Sequence, residues 1–333
     1  MAIAARVDPK TYFSPEEWAP LARRSPWKGV ALIVHCWAMI GLCWAMTIAA
    51  VHVFGPLGLL TLVVAVPVIG GRQLGLGIIQ HDAAHGALHP NQKFADRLSD
   101  VFCYSGVERY RKYHLQHHKY AQQAEDPDLG LSAPFPITRT SLRRKIVRDL
   151  TGQTWFKQRF GDFGKKLAAR KPGQPVLPIV WAEIVKQRRW LLTNLAVIAI
   201  SSALGYWWAW FALWLLPKAT WHMMITRFRN IAEHALVAKD EPDPLRHARS
   251  THASWLERVL IAPYWVNYHC EHHMFMHVPC WNLPKVQRLL RDKGVLDGML
   301  TAPGYLTVLK AAASKPERLA VAQAGSGAPH PFL

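Results

Sequence analysis

Residues 30–53 contain no Asp, Glu, Lys or Arg, and that fact restricts the chain more than any other. A bilayer core of roughly 30 Å needs about 20 apolar residues in helical form, and this stretch is long enough. Gly55-Pro56 interrupts it, and residues 57–79 continue in the same style with Arg72 as their one charge. The pair predicts a helical hairpin whose uncharged turn lies on the far side of a membrane. Both outer flanks are basic, with Arg23, Arg24 and Lys28 before the hairpin and Arg97, Arg109, Arg111 and Lys112 after it. By the positive-inside rule those flanks are cytoplasmic.

A second apolar block, residues 190–226, has Lys218 as its one Lys or Arg. It is long for one helix and slightly short for two. A turn near 201–205 gives two spans and returns the chain to the cytoplasm. The expected fold is therefore an all-α integral membrane protein with four transmembrane helices in two hairpins, at about 30–53, 57–79, 187–204 and 206–228. Residues 80–186 and 229–310 would form a cytoplasmic helical cap within one domain, 30–310. Residues 1–29 mix charges without an apolar core, so they read as a cytoplasmic N-terminal segment and not as a cleavable signal peptide. Residues 311–333, rich in Ala, Gly, Ser and Pro, read as a mobile tail.

Charge and cysteine usage narrow the class further. Forty Lys and Arg stand against 22 Asp and Glu, a balance that suits nucleic acid, a membrane surface or an acidic partner. The basic residues crowd just outside the apolar stretches, which selects the membrane and excludes nucleic acid. Cys36, Cys43, Cys103, Cys270 and Cys280 include no C-x-x-C pair, so neither a disulfide framework nor a thiolate zinc site is expected. Residues 141–171 alternate apolar and basic positions, as in a helix resting on anionic lipid or in an ordinary solvated helix. Trp207, Trp208, Trp210 and Trp214 read as an interfacial, lipid-facing belt.

Against this background the histidines stand out. "HDAAH" occupies 81–85, "HLQHH" 114–118, "NIAEH" 230–234 and "HCEHH" 269–273. Positions i, i+3 and i+4 lie near one another on a helix, so each group is expected to aim its rings at one point. His81, His85, His114, His117, His118, His234, His269, His272 and His273 make nine imidazoles from four segments. That is too many for one ion, but four or five each for two. Imidazole suits iron, zinc, copper and nickel alike. Asp82, Glu233 and Glu271 lie inside the boxes, placed to accept ring N–H groups or to balance a basic surface. His35, His52 and His222, in or near the spans, read as packing or interfacial groups.

These four boxes, in this order and at the ends of apolar segments, resemble the membrane fatty acid desaturase and hydroxylase superfamily over roughly residues 30–290. The resemblance implies a non-haem centre of two iron ions on the cytoplasmic face, held by the nine histidines, with Asn230 near the metals through a water. It implies O2 as co-substrate for attack on an unactivated C–H bond. It also implies electrons from a separate donor, a ferredoxin or a b-type cytochrome with its reductase, since neither a His-Pro-Gly-Gly haem segment nor a cysteine cluster is present. The acidic "EDPDL" at 125–129 is similar to a stretch in carotenoid hydroxylases and ketolases, and is equally a Pro-centred turn. A desaturase of long acyl chains in lipids, in a bacterial inner membrane with both termini and the active site cytoplasmic, is the leading reading. A carotenoid or sphingolipid hydroxylase or ketolase is the alternative. A zinc protease would use "HDAAH" but leave most of the histidines idle. A histidine-lined metal transporter would place its polar groups within the spans and not beyond them.

Overall fold

The computed structural model describes residues 7–103, 106–132 and 134–317, and the regular structure of the described chain is almost all helix. Its helices are α1 (Pro15–Ala22), α2 (Lys28–Phe54), α3 (Leu62–Ala84), α4 (Gln92–Phe102), α5 (Val107–Lys119), α6 (Leu129–Ser132), α7 (Arg139–Leu150) and α8 (Gln153–Ala168). They continue with α9 (Leu177–Ala203), α10 (Trp207–Trp210), α11 (Leu216–Ala219), α12 (Trp221–His234), α13 (Trp255–Leu260), α14 (His269–Met274), α15 (Leu283–Asp292) and α16 (Tyr305–Ala312). Among the described residues the one sheet is a parallel two-residue ladder, Ser250–Thr251 beside Thr301–Ala302.

The first apolar pair folds as a hairpin. Thr61 Oγ1 meets Thr47 Oγ1 at 3.1 Å and Cys36 Sγ meets the Arg72 carbonyl at 2.9 Å, so α2 and α3 run antiparallel. The 3₁₀ turn Gly55–Thr61 joins them, and a Cβ on Gly58 would come within 2.3 Å of the Ala50 backbone, which only glycine avoids. Lys28–Ala84 is the one segment among the described residues that is long and apolar enough by length and composition to cross a membrane.

The second block differs from its expected outline. α9 begins at Leu177, ten residues before 187, and carries Glu183, Lys186, Arg188 and Arg189 in its first half. The chain reverses at Gly205, whose φ is +82°, and returns through α10, a π-turn at Phe211–Leu215 and α11 before breaking at Thr220. The π-turn is used. Trp44 Nε1 donates to the Leu213 carbonyl at 3.0 Å and Gln73 Nε2 to the Trp214 carbonyl at 2.9 Å, joining the two hairpins. The tryptophans are thus divided: Trp207 is exposed, whereas Trp214 is buried and stacks on Trp37 with centroids 5.6 Å apart. Large apolar side chains stay exposed on both hairpins, among them Met46, Val63, Leu195 and Ile200.

Two further expectations change. Residues 141–171 form two helices, not one surface helix, broken where Gly152 takes φ +77°. Leu142 and Asp149 are buried in α7, and Arg227 of α12 donates to Asp149 Oδ1 at 2.8 Å. At the C-terminal end, α16 runs past 310 to Ala312, and Lys315 N bonds the Ile137 carbonyl at 3.1 Å. The mobile tail expected from 311 otherwise falls on 318–333, outside the described residues. The N-terminal segment docks on the cap, with Phe13 and Trp18 each 5.4 Å from Phe275.

Asp149→Ala leaves the Arg227 guanidinium without its buried carboxylate and should lower stability by about 3 kcal/mol. The detergent-solubilised protein would show this as a fall in thermal midpoint. An unchanged midpoint would mean that α7 docks without the pair.

Candidate metal centre

The C-terminal ends of α3 and α12 come together with α5 and α14. His81 and His85 close α3, α5 carries His114, His117 and His118, His234 closes α12, and His269, His272 and His273 lie on α14. All nine imidazoles gather into two groups whose ligand nitrogens lie within 4.8 Å of one another: His81, His85, His114, His118 and His272 in the first, His117, His234, His269 and His273 in the second. Eight of the nine rings are buried, and His273 is partly so. The groups adjoin, with His118 and His273 ring centroids 4.3 Å apart.

The expectation that each box aims at one point is corrected here. On both α5 and α14 the i and i+4 rings enter one group and the i+3 ring enters the other. Successive residues are about 100° apart on a helix, so i+4 falls roughly 40° from i, while i+3 falls roughly 60° to the other side. Packed between two foci, each helix serves both. α5 gives two rings to the first group and one to the second, and α14 does the reverse.

The spacing fits coordinated metal. Neighbouring Nε2 atoms lie 3.0 Å apart for His114 and His118, 3.0 Å for His118 and His272, 2.9 Å for His234 and His269, and 3.2 Å for His269 and His273. A metal–nitrogen bond of about 2.1 Å with ligands at right angles places neighbouring nitrogens about 3.0 Å apart. Among the described residues neither ring nitrogen of buried His85 has a hydrogen-bond partner, a rare condition unless a ligand completes it. Each group could hold one metal ion.

Electrostatics favour neutral donors. Burial first, and neighbouring imidazoles next, hold His85, His114, His118, His234, His269, His272 and His273 far below the ordinary histidine range. Burial also lowers His81, against the pull of Asp82. His117 is the exception. Burial opposes its charge, yet the hydrogen bond and carboxylate of Asp126, then Asp128 and Glu233, raise it. Burial pushes Glu233 up to about 7 against the attraction of Arg229.

The three acids inside the boxes do different work. Asp82 Oδ1 lies 3.4 Å from His81 Nδ1, while Oδ2 accepts from Cys280 N at 2.9 Å and ties α3 to the segment after α14. Glu233 Oε2 lies 3.1 Å from Arg229 Nε and 3.6 Å from His269 Nε2. Glu271 accepts from the Ser250 hydroxyl and from Gln287 Nε2 at 2.8 Å, bracing α14. Asn230 is buried one turn before His234 on the same face of α12.

Sequence reasoning left unplaced the carboxylate that holds a ring most directly. Asp126, in "EDPDL", accepts from His117 Nδ1 at 2.8 Å and from the backbone N–H groups of Gln122 and Asp128 at 2.9 and 2.8 Å. The stretch is both a turn and an anchor. Two arginines were also missed. Arg111 Nε donates to the Ala84 carbonyl at 2.9 Å and Arg249 Nη1 to the Ala235 carbonyl at 2.9 Å, capping the histidine-bearing ends of α3 and α12. Nothing in their sequence neighbourhoods signals this, because each comes from another element.

Comparison with known proteins agrees with this geometry. The fatty acid desaturase family profile matches residues 57–300. The chain belongs to that family. It is 26% identical over 288 residues to dihydrorhizobitoxine desaturase of Bradyrhizobium elkanii, covering 80% of this chain and 76% of that one. It is also 28% identical to a beta-carotene ketolase of Paracoccus sp. (strain PC1), covering 65% of this chain and 74% of the relative. A second Paracoccus beta-carotene ketolase, from strain N81106 / MBIC 01143, is 27% identical with similar coverage. As a member of the desaturase family, the chain is an oxidoreductase of a membrane-associated group.

Asp126→Asn removes the charge behind His117 and should weaken one of two metal equivalents by about 10- to 100-fold. Calorimetric titration of metal-stripped protein measures it. Loss from both equivalents alike, or from neither, would contradict the assignment of Asp126 to one group.

Proposed function

We propose that the two histidine groups hold a pair of iron ions and that the protein is an O2-dependent membrane oxidoreductase. Its reaction is desaturation of long acyl chains in lipids. The observation that carries this reading is the division of nine buried imidazoles into adjoining sets of five and four, without a thiolate in either. Bound there, the iron pair would activate O2, the oxidant, for attack on an unactivated C–H bond. The chain's own part is to keep eight imidazoles neutral by burial, to fix His117 through Asp126, and to hold the helix ends through Arg111 and Arg249. Asn230 would face the four-histidine group through a water.

The four-span arrangement belongs to the same proposal. The two antiparallel hairpins carry belts of exposed apolar side chains, which would be costly in water and are at home in lipid. Both termini and the histidine cap would then lie on the cytoplasmic side of a bacterial inner membrane, where the basic flanks are found. Electrons would come from a separate ferredoxin or b-type cytochrome with its reductase, drawn to the positive cap.

Hydroxylation or ketolation is the second reading, and the two beta-carotene ketolases among the relatives favour it. Both reactions begin with removal of one hydrogen, and the position of the next carbon decides between them. Expression in a host of known lipid composition, followed by mass spectrometry of extracted lipids and pigments, separates them. Loss of two hydrogens marks desaturation, and gain of one oxygen marks hydroxylation.

His272→Ala removes one member of the five-histidine group. It should lower iron content by about half and abolish turnover while membrane insertion persists. Metal analysis of purified protein checks this, and full iron content would reject His272 as a ligand.

A further inference from the structure

Residues 139–171 carry eleven Lys and Arg against two acids, Asp149 and Asp162. Both acids are engaged. Asp149 is buried and bound by Arg227, and Asp162 lies 3.8 Å from Lys186. Arg143, Arg144 and Arg148 of α7 and Lys157 of α8 are exposed, so the outer face of this helix pair is cationic. Among these cations three large apolar side chains are exposed as well: Val147, Leu150 and Phe156. All three lie within five residues of Gly152, where the chain turns from α7 into α8.

The two helices form a V whose point lies beside the second apolar block. α7 runs along α12 toward that block: Leu142 shares a core with Ile231 and Ala235, and Ile146 packs against the core of Met224 and Ile225. At the elbow, a Cβ on Gly152 would lie 3.9 Å from Ala219. α8 then climbs away along α9. Trp155 meets Trp190 with ring centroids 6.1 Å apart, Arg159 lies 4.5 Å over the same indole, and Lys166 is 3.6 Å from Glu183 one helix turn and more beyond it. Trp190 opens the apolar block 190–226 and Ala219 lies near its end. The elbow therefore sits where this hairpin leaves the apolar layer, and its exposed apolar side chains are at that level.

We propose that the elbow is a membrane anchor: Leu150 and Phe156 enter the acyl boundary of the cytoplasmic leaflet while Arg148 and Lys157 meet the phosphates of anionic lipid. The partner is the leaflet itself, an anionic phospholipid surface. Apolar and aromatic side chains flanked by Lys and Arg are the pattern such a surface takes up, and the cations add an attraction that fades within a Debye length of the head groups. An acidic protein would use the charge but has no need of an apolar tip level with the end of a span. The position of the bilayer rests on the four-span reading. Because Asp149 of α7 is bound by Arg227 of α12, a seated elbow also steadies the helix that ends at His234.

A nitroxide placed at Phe156→Cys in phosphatidylglycerol nanodiscs tests the proposal, in a Cys43→Ala chain because the other four cysteines are buried. Leu195→Cys on α9 is the lipid reference and Arg288→Cys on α15 the water reference, both positions being exposed. O2 gathers in hydrocarbon and a nickel chelate in water, so their collision ratio should be several-fold higher at 156 than at 288. Arg148→Gln with Lys157→Gln should lower the seated population about fivefold for each cation removed, and phosphatidylcholine discs should lower it alike. A signal at 156 equal to that at 288, while 195 reads as lipid, would overturn the anchor and leave the spans standing. A water-like signal at 195 as well would overturn both. A lipid signal at 156 that ignores head-group charge and the double substitution would overturn the anionic contact. All of the labelled positions are exposed, so these substitutions leave the packed core intact.

Discussion

Imidazole nitrogens crowded face to face in a buried volume are the constraint to which the rest of the cap answers. His118 Nε2 has one proton or one lone pair to offer, yet it lies 3.0 Å from both His114 and His272. His269 Nε2 is in the same position between His234 and His273. Neither nitrogen of His85 has a hydrogen-bond partner among the described residues. Leaving a buried polar atom unsatisfied costs about 1–3 kcal/mol, and several such costs in one place compare with the whole stability of a domain. A cation at each focus would meet these lone pairs at once, which would make metal affinity and cap stability two faces of one free energy.

Holding such a cluster together requires a frame that does not relax when the rings repel. The frame is built from long-range polar contacts to helix ends. Arg111 caps α3 and also bonds Asp96 at 2.6 Å, and His277 Nδ1 donates to the His85 carbonyl at 2.8 Å. Arg249 caps α12 through the carbonyls of Ala232 and Ala235. Glu271, fully buried, ties α14 to the Ser250 strand and to α15. Each is a charged or strongly polar group set on a carbonyl, carboxylate or hydroxyl, and each joins segments distant along the chain.

Which parts could be read from the sequence follows from the range of the physics involved. Local periodicity placed His81 with His85 and all of His114, His117 and His118 on single helices, because one turn of helix is a local property. Charge-free length outlined the α2–α3 hairpin for the same reason. Two foci were invisible: whether His117 joins His118 or faces away depends on what packs on either side of α5, and that is a tertiary fact. The second apolar block was outlined less well. Its π-turn, its break at Thr220 and the ten-residue extension of α9 toward Leu177 depend on contacts with α2, α3 and α8, not on hydropathy. Asp126 and Arg111 show the same limit. Their types and positions were visible, but Asp126 reaches His117 only through the turn that folds the chain back on α5, and the carbonyl that Arg111 meets lies on another helix.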